Sequence, residues 1–322
     1  MPLIETSSFP PCPWLPGGHM QTIVPALFRR VPMVTNQKER LELPDGDFLD
    51  LDWSGKSRDL LAIISHGLEG SSEGAYIQGM AARLIKAGWD VLAWNLRGCS
   101  GETNRLKRFY HSGATEDLSA VISHAEKVHP ASRIDLIGFS LGGNLTLKYL
   151  GEGVSEKIHR AMTFSVPCDL ADSSAQLARW ENAIYMRRFM KDMRRKILTK
   201  DELFPGELDL TDLMSMRSFA EFDDRYTAPL HGFSSAKDYW MRNSSRPFLP
   251  RITVPTLLVN ARNDPFLGEA CYPRQIAAES KFLHLEMPAQ GGHVGFLSTD
   301  GTYWSEQRAV EFLEDESVHA VL

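Results

Sequence analysis

Between residues 60 and 167 the chain alternates two textures. Short, almost continuous apolar runs, LLAIISHG (60–67), DVLAWNLRG (90–98), IDLIGFS (134–140) and RAMTFSVP (160–167), are separated by longer stretches of helical period. In AYIQGMAARLIKAG (75–88), Ile77, Met80, Ala81, Leu84 and Ile85 fall on one helical face, and TEDLSAVISHAEKV (115–128) has the same character. Strands that are apolar on both faces and joined by helices predict an α/β fold, a mostly parallel, doubly wound sheet covered on both sides. Upstream, two short runs in LELPDGDFLDLDW (41–53) flank Pro44-Asp45-Gly46-Asp47, which predicts a hairpin. The Pro-rich first 40 residues read as an irregular arm. The strand–helix rhythm stops near residue 168. It resumes at PTLLVNARNDP (255–265) and KFLHLEMP (281–288), and closes with a helix near 302–314. These boundaries divide the chain into an arm (1–40), a core (41–168 and 251–322) and a helical cap insertion (169–250) that follows the sixth strand.

The insertion differs in composition. It carries Met186, Met190, Met193, Met214, Met216 and Met241, many aromatics, and the basic stretch YMRRFMKDMRRKI. On a helix, Tyr185, Phe189, Met193 and Ile197 form one apolar stripe, with Arg187, Arg188, Lys191, Arg194 and Arg195 on the remainder. Two readings follow: a solvated cationic face, or an acyl-chain entrance that meets an anionic membrane surface or acyl carrier. Methionine-rich walls suit varied flexible chains because thioethers repack readily.

Charge and cysteine content remove several function classes. Thirty-five basic against 41 acidic residues give a net charge of −6, which argues against a general nucleic-acid binder. Cys12, Cys99, Cys168 and Cys271 show neither the density of a disulfide scaffold nor the spacing of a zinc site. No secretory leader and no apolar run of spanning length is legible, so a cytoplasmic location is expected. HExxH, EF-hand, P-loop and GxGxxG patterns are absent, and no cofactor or metal is expected. Asp50 and Asp52 alternate along a strand and read as its solvent face rather than as a metal pair.

The most informative segment is IDLIGFSLGGNLTLKYL (134–150), an apolar strand running through Gly138-Phe139-Ser140-Leu141-Gly142 into an amphipathic helix. Such a turn lifts the Ser140 hydroxyl above the sheet edge, and the helix N-terminus behind it supplies free N–H groups. A serine hydroxyl needs a positioned base to become nucleophilic. In this architecture the order is serine, acid, histidine. Asp264, after the strand PTLLV, and His293, after KFLHLEM, meet that order at the strand ends where ligands bind. Asp169 in SVPCDL is the competing acid; Asn263 and Pro265, which fix a turn, favour Asp264. Oxyanion donors are expected from the backbone N–H of Leu141 and of Leu68 in His66-Gly67-Leu68-Glu69-Gly70. His66 reads as a structural shaper of that loop, Glu69 as solvated, and Cys99 as no nucleophile.

With these parts assembled, the chain resembles the α/β-hydrolase superfamily. PGGHMQTIVPALFRR, HGLEGSS, NLRGCSGE, YHSGATEDL and GFSLGGN, spread over nearly the whole length, are similar to the YheT-like hydrolases. Lys38, where an arginine often precedes the glutamate, is a small departure with no catalytic consequence. The resemblance implies hydrolysis of a small-molecule carboxylic ester, short- to medium-chain or lipid-like, and its eukaryotic relatives include phospholipid hydrolases and acyl-transferring enzymes. The Ser140, Asp264 and His293 roles agree with that family's triad. Acyl transfer or thioester cleavage by the same acyl-enzyme is the alternative, and an idle hydrolase fold that only binds is the rival of another class.

Overall fold

The computed structural model of the chain describes residues 3–315, apart from residues 5, 36, 57, 58 and 154. The four apolar runs form the strands β4 (Leu60–Ser65), β5 (Asp90–Trp94), β6 (Arg133–Phe139) and β7 (Ile158–Phe164), and the resumed pattern gives β8 (Thr256–Val259) and β9 (Leu283–Glu286). Upstream lie β1 (Leu3–Ile4), α1 (Gly17–Phe28), and a hairpin of β2 (Gln37–Glu42) and β3 (Phe48–Ser54). The periodic stretches become α2 (Ala75–Ala87) and α3 (Thr115–Val128), and α4 (Leu141–Glu152) follows β6. Between β7 and β8 come α5 (Leu170–Leu177), α6 (Ala183–Leu203), α7 (Phe219–Phe222), α8 (Ala228–Leu230) and α9 (Ala236–Asn243). The insertion therefore follows the seventh strand rather than the sixth, β1 in the arm being the strand the pattern did not show. α10 (Arg274–Glu279) and α11 (Trp304–Glu314) follow β8 and β9.

These strands make one sheet in the order β1-β9-β8-β7-β6-β4-β5-β3-β2, parallel except where β3 meets β2 and β5. Chain order reverses at β4, which has β5 on one side and β6 on the other. A reversal opens a crevice beyond the carboxyl ends of the two strands it separates, because their following segments leave to opposite faces.

Alternation along the strands feeds two cores. Leu61 and Ile63 of β4 pack with Leu118, Val121 and Leu145 on one face of the sheet. Ala62 and Ile64 pack with Ile77, Met80 and Leu84 of α2 and with Val310 of α11 on the other. Each fully buried Leu or Ile contributes roughly 1.5–3 kcal/mol, so both helical layers are held by burial rather than by helix propensity. A third cluster belongs to the insertion, where Tyr185, Met186, Met190, Met193 and Ile197 of α6 meet Phe219, Phe222 and Phe266.

The arm is not irregular throughout. Its Gly17–Phe28 segment is helical, although it opens on two glycines and holds Pro25. Proline cannot donate to the carbonyl four residues back. That signal hid the helix, and packing against later loops sustains it. Asp52 departs from expectation too. It is buried, with the Ser72 hydroxyl donating to it, while Asp50 pairs with Arg40 at 2.8 Å.

Candidate active site

β6 ends in a turn so tight that glycine is obligatory on both sides of Ser140. A Cβ on Gly138 would lie 2.6 Å from the Gly142 carbonyl oxygen, and one on Gly142 would lie 2.4 Å from the carbonyl oxygens of Ser65 and His66. Ser140 itself sits at φ 52°, ψ −118°. Such strain costs about 1–3 kcal/mol. Offsetting it, the Ser140 N–H donates to Phe164 O at 2.9 Å and its carbonyl accepts from Asn144 N at 3.0 Å. Asn144 in turn donates to Ser112 O and Asn243 O and accepts from Ser245 N, which fastens α4 to the loop after β5 and to the end of the insertion.

The structure brings Ser140, His293 and Asp264 into one hydrogen-bonded line. His293 Nε2 lies 3.0 Å from Ser140 Oγ, and His293 Nδ1 lies 2.8 Å from Asp264 Oδ2. Asp264 is buried, and its Oδ1 accepts from Phe266 N at 2.9 Å, which orients the carboxylate. The Phe266 ring packs on the imidazole at 4.1 Å between centroids. Asp169 is elsewhere, capping α5 by accepting from Asp172 N at 3.0 Å.

The loop that carries His293 is shaped mostly by α1, a contribution the sequence did not reveal. Gln21 Oε1 accepts from Gly291 N (2.8 Å) and Asn263 Nδ2 (3.0 Å), and its Nε2 donates to Leu15 O and Gln290 Oε1. Thr22 Oγ1 accepts from His293 N at 2.9 Å, Asn263 Oδ1 from Gly292 N at 3.0 Å, and Ser165 Oγ from Val294 N at 2.9 Å. A Cβ on Gly295 would lie 2.0 Å from Gln21 O, the carbonyl that Pro25 leaves without its helical donor. The motif GHMQT was visible; its partners, some 270 residues away, were not.

Leu68 and Leu141 line the same cavity as Ser140 and His293. Leu141 is the first residue of α4, so its N–H has no carbonyl within the helix to bind. Gly67 presses against the serine, a Cβ there falling 3.2 Å from Ser140 Cβ. His66 shapes this loop by donating from Nδ1 to Gly67 O (2.7 Å) and accepting at Nε2 from Leu96 N (3.1 Å); burial pushes its pKa down to about 4 and keeps it neutral. Glu69 is not solvated. It takes the positive φ of 51°, accepts from the Tyr110 hydroxyl at 2.6 Å, and pairs with Lys196 of α6 at 3.3 Å. Burial pushes the Cys99 thiol up to about 12, the opposite of an activated nucleophile.

Ser140 stands where two cavities meet. The narrower, about 100 Å³, is walled by Leu177, Phe189, Met193, Phe219 and Phe222, an aromatic rather than methionine-rich lining, and also holds Asp223, whose carboxyl burial raises to about 6. The wider, about 600 Å³, runs past Ile23, Leu27, Ile184, Tyr185 and Arg188 of α1 and α6. Among the described residues no group of three His, Cys, Asp or Glu side chains is placed to hold a metal, and no helix is long and apolar enough to cross a membrane.

Comparison with known proteins agrees with this fold. Residues 63–300 match the family model described as the alpha/beta hydrolase fold. The chain is 35% identical over 321 residues to YheT of Escherichia coli (strain K12), covering 96% of this chain and 94% of that protein. It is 29% identical to mouse phospholipase ABHD3 (91% of this chain, 74% of the relative) and 27% identical to human monoacylglycerol lipase ABHD2 (97% and 80%). Among solved structures, the Pyrococcus furiosus esterase Pf2001 shares the fold, with a TM-score of 0.59 at 19% identity over 86% of this chain and 90% of that one. The chain therefore belongs to the α/β-hydrolase family, among its YheT-like members.

Proposed function

We propose that the chain is a serine hydrolase of carboxylic esters that works through an acyl-enzyme on Ser140. The observation that carries this reading is the line from Asp264 through His293 to Ser140 Oγ, with bonds of 2.8 and 3.0 Å, on a serine held at positive φ between two cavities. His293 Nε2 takes the hydroxyl proton as Oγ attacks the ester carbonyl. The tetrahedral oxyanion is stabilised by the N–H groups of Leu68 and Leu141. Asp264 holds the proton on Nδ1 and stabilises the imidazolium, which then protonates the departing alcohol. Water, deprotonated by His293, attacks the acyl-enzyme. The resulting intermediate collapses to the acid and returns the proton to Ser140.

Two cavities meeting at Ser140 suit an ester with an extended group on each side of the scissile bond. The apolar walls and the phospholipase and monoacylglycerol lipase relatives support a lipophilic ester. Hydrolysis of p-nitrophenyl esters of graded chain length tests the reading. Ser140→Ala is expected to lower kcat by roughly 10³–10⁶-fold, and Asp264→Asn to follow it by several hundred-fold or more, while Asp169→Asn changes little. Equal rates in wild type and Ser140→Ala, or no labelling of Ser140 by a fluorophosphonate, would refute it. Ester formed on addition of ethanol would reassign the chemistry to acyl transfer.

A further inference from the structure

The mouth of the wider cavity carries a surface that ester cleavage leaves unused. It is built from α1 and α6, held together where the His19 ring stacks on Tyr185 (5.8 Å between centroids), where His19 Nδ1 meets the Tyr185 hydroxyl at 3.1 Å, and where Ile23 packs into the third core cluster. The outward positions of α6 are Ile184, Arg187, Arg188, Lys191, Arg195 and Leu198, at the spacing of one helical face. From Ile184 to Leu198 that face presents cations and apolar groups and no exposed carboxylate; the first exposed one on the helix is Glu202, in its last turn. Asp192 beside it is half-buried and pairs with Arg195 at 3.1 Å, while Arg187, Arg188 and Lys191 have no carboxylate partner among the described residues.

Large apolar side chains flank these cations. Trp180 is 83% exposed, Phe28 71%, Leu27 62% and Ile184 61%. Leu27, Ile184 and Arg188 also line the cavity that reaches Ser140, so the surface is continuous with the reaction site. A chain of net charge −6 that gathers free cations and exposed aromatics at one mouth is locally complementary to an anionic, partly apolar surface.

We propose that the α1–α6 rim docks the protein on an anionic phospholipid surface, so that a lipid ester passes from the bilayer into the cavity ending at Ser140; the second clause rests on the ester-hydrolase reading. Full-length Ser140→Ala protein is sedimented with vesicles of phosphatidylcholine, with and without phosphatidylglycerol. Partition is expected to be about tenfold or more tighter on the anionic vesicles and to weaken with added salt. Arg187→Gln with Lys191→Gln, and separately Phe28→Ser with Trp180→Ser, are expected to lower that partition about tenfold while leaving turnover of a soluble short-chain ester unchanged. Equal sedimentation on neutral and anionic vesicles, or variants that bind as the parent does, would overturn the proposal. So would binding to a small acidic carrier protein without binding to vesicles. Vesicle binding by a chain whose wild type cleaves no ester would uphold the docking surface and remove the hydrolase reading.

Discussion

His66 shows how a side chain outside the chemistry can set conditions for it. Its two ring nitrogens are committed to Gly67 O and Leu96 N, and burial holds its pKa near 4. In the unfolded chain the imidazole returns to about 6.5. The folded form therefore binds fewer protons between those values, and the stability this residue contributes is full above about pH 6.5 and lost as pH falls towards 4. The loss amounts to about 3 kcal/mol at its limit. His111 and His231 are lowered in the same sense and Asp223 is shifted in the opposite sense, so a difference isolates the residue. Urea unfolding is expected to show wild type losing more stability than His66→Gln between pH 7 and pH 5. Parallel losses would contradict the assignment. Ser140 was legible from five consecutive residues because two glycines that no side chain can replace flank it, Gly138 for contacts within the turn and Gly142 for the close approach of the end of β4. Glu69 and Asp52 were misread as solvated because Lys196, Tyr110 and Ser72, which bury them, lie on other segments.

At the scale of elements, α1 is the clearest case of tertiary structure overriding local preference. Two glycines and an interior proline cost a helix several kcal/mol relative to alanine. Yet Gln21 makes four hydrogen bonds, three of them to the loops that carry His293 and Asp264 and one to Leu15 O just before the helix. Gln21→Leu would strand the Gly291 N–H and free the histidine loop, with little change to the cavity walls. A fall in kcat of about 10- to 100-fold at nearly constant KM for a soluble ester is expected, since small misplacements of a reacting group cost that much. A change confined to KM would place Gln21 in substrate binding instead. The hairpin, by contrast, was readable, because its PDGD turn is written in adjacent residues. What that turn does was not. Asp45 and Asp47 receive Arg97 at 2.8 and 3.0 Å, and Arg97 also forks onto Asp117 of α3. Sequence separated those partners by 50 and 20 residues.

On the scale of the whole molecule, the reversal of strand order at β4 sets the Gly67–Leu68 loop against Ser140, and β8 and β9 deliver Asp264 and His293 to the same edge. The segment between β7 and β8 lies over that edge, with α6 contributing Phe189 and Met193 to the cavity walls. If the narrower cavity takes the acyl chain, Met193→Trp fills space an extended chain needs. The expected result is a tenfold or greater loss of kcat/KM on long-chain relative to short-chain p-nitrophenyl esters, each methylene being worth roughly 10- to 200-fold. An unchanged ratio would put the alcohol there.

The sequence by itself determined the parallel sheet, the interruption in it, and the serine turn, since each follows from near-neighbour patterns of hydrophobicity and steric fit. Its ordering of Ser140, Asp264 and His293 also named three residues that the structure places in one line. Only the tertiary structure decided that the proline-bearing arm is a helix supporting the histidine loop, that Glu69 ties its loop to α6, and that two cavities meet at the serine. Those features depend on partners one hundred to nearly three hundred residues apart. Periodicity carries no information at that range, and packing alone selects among the pairings it allows.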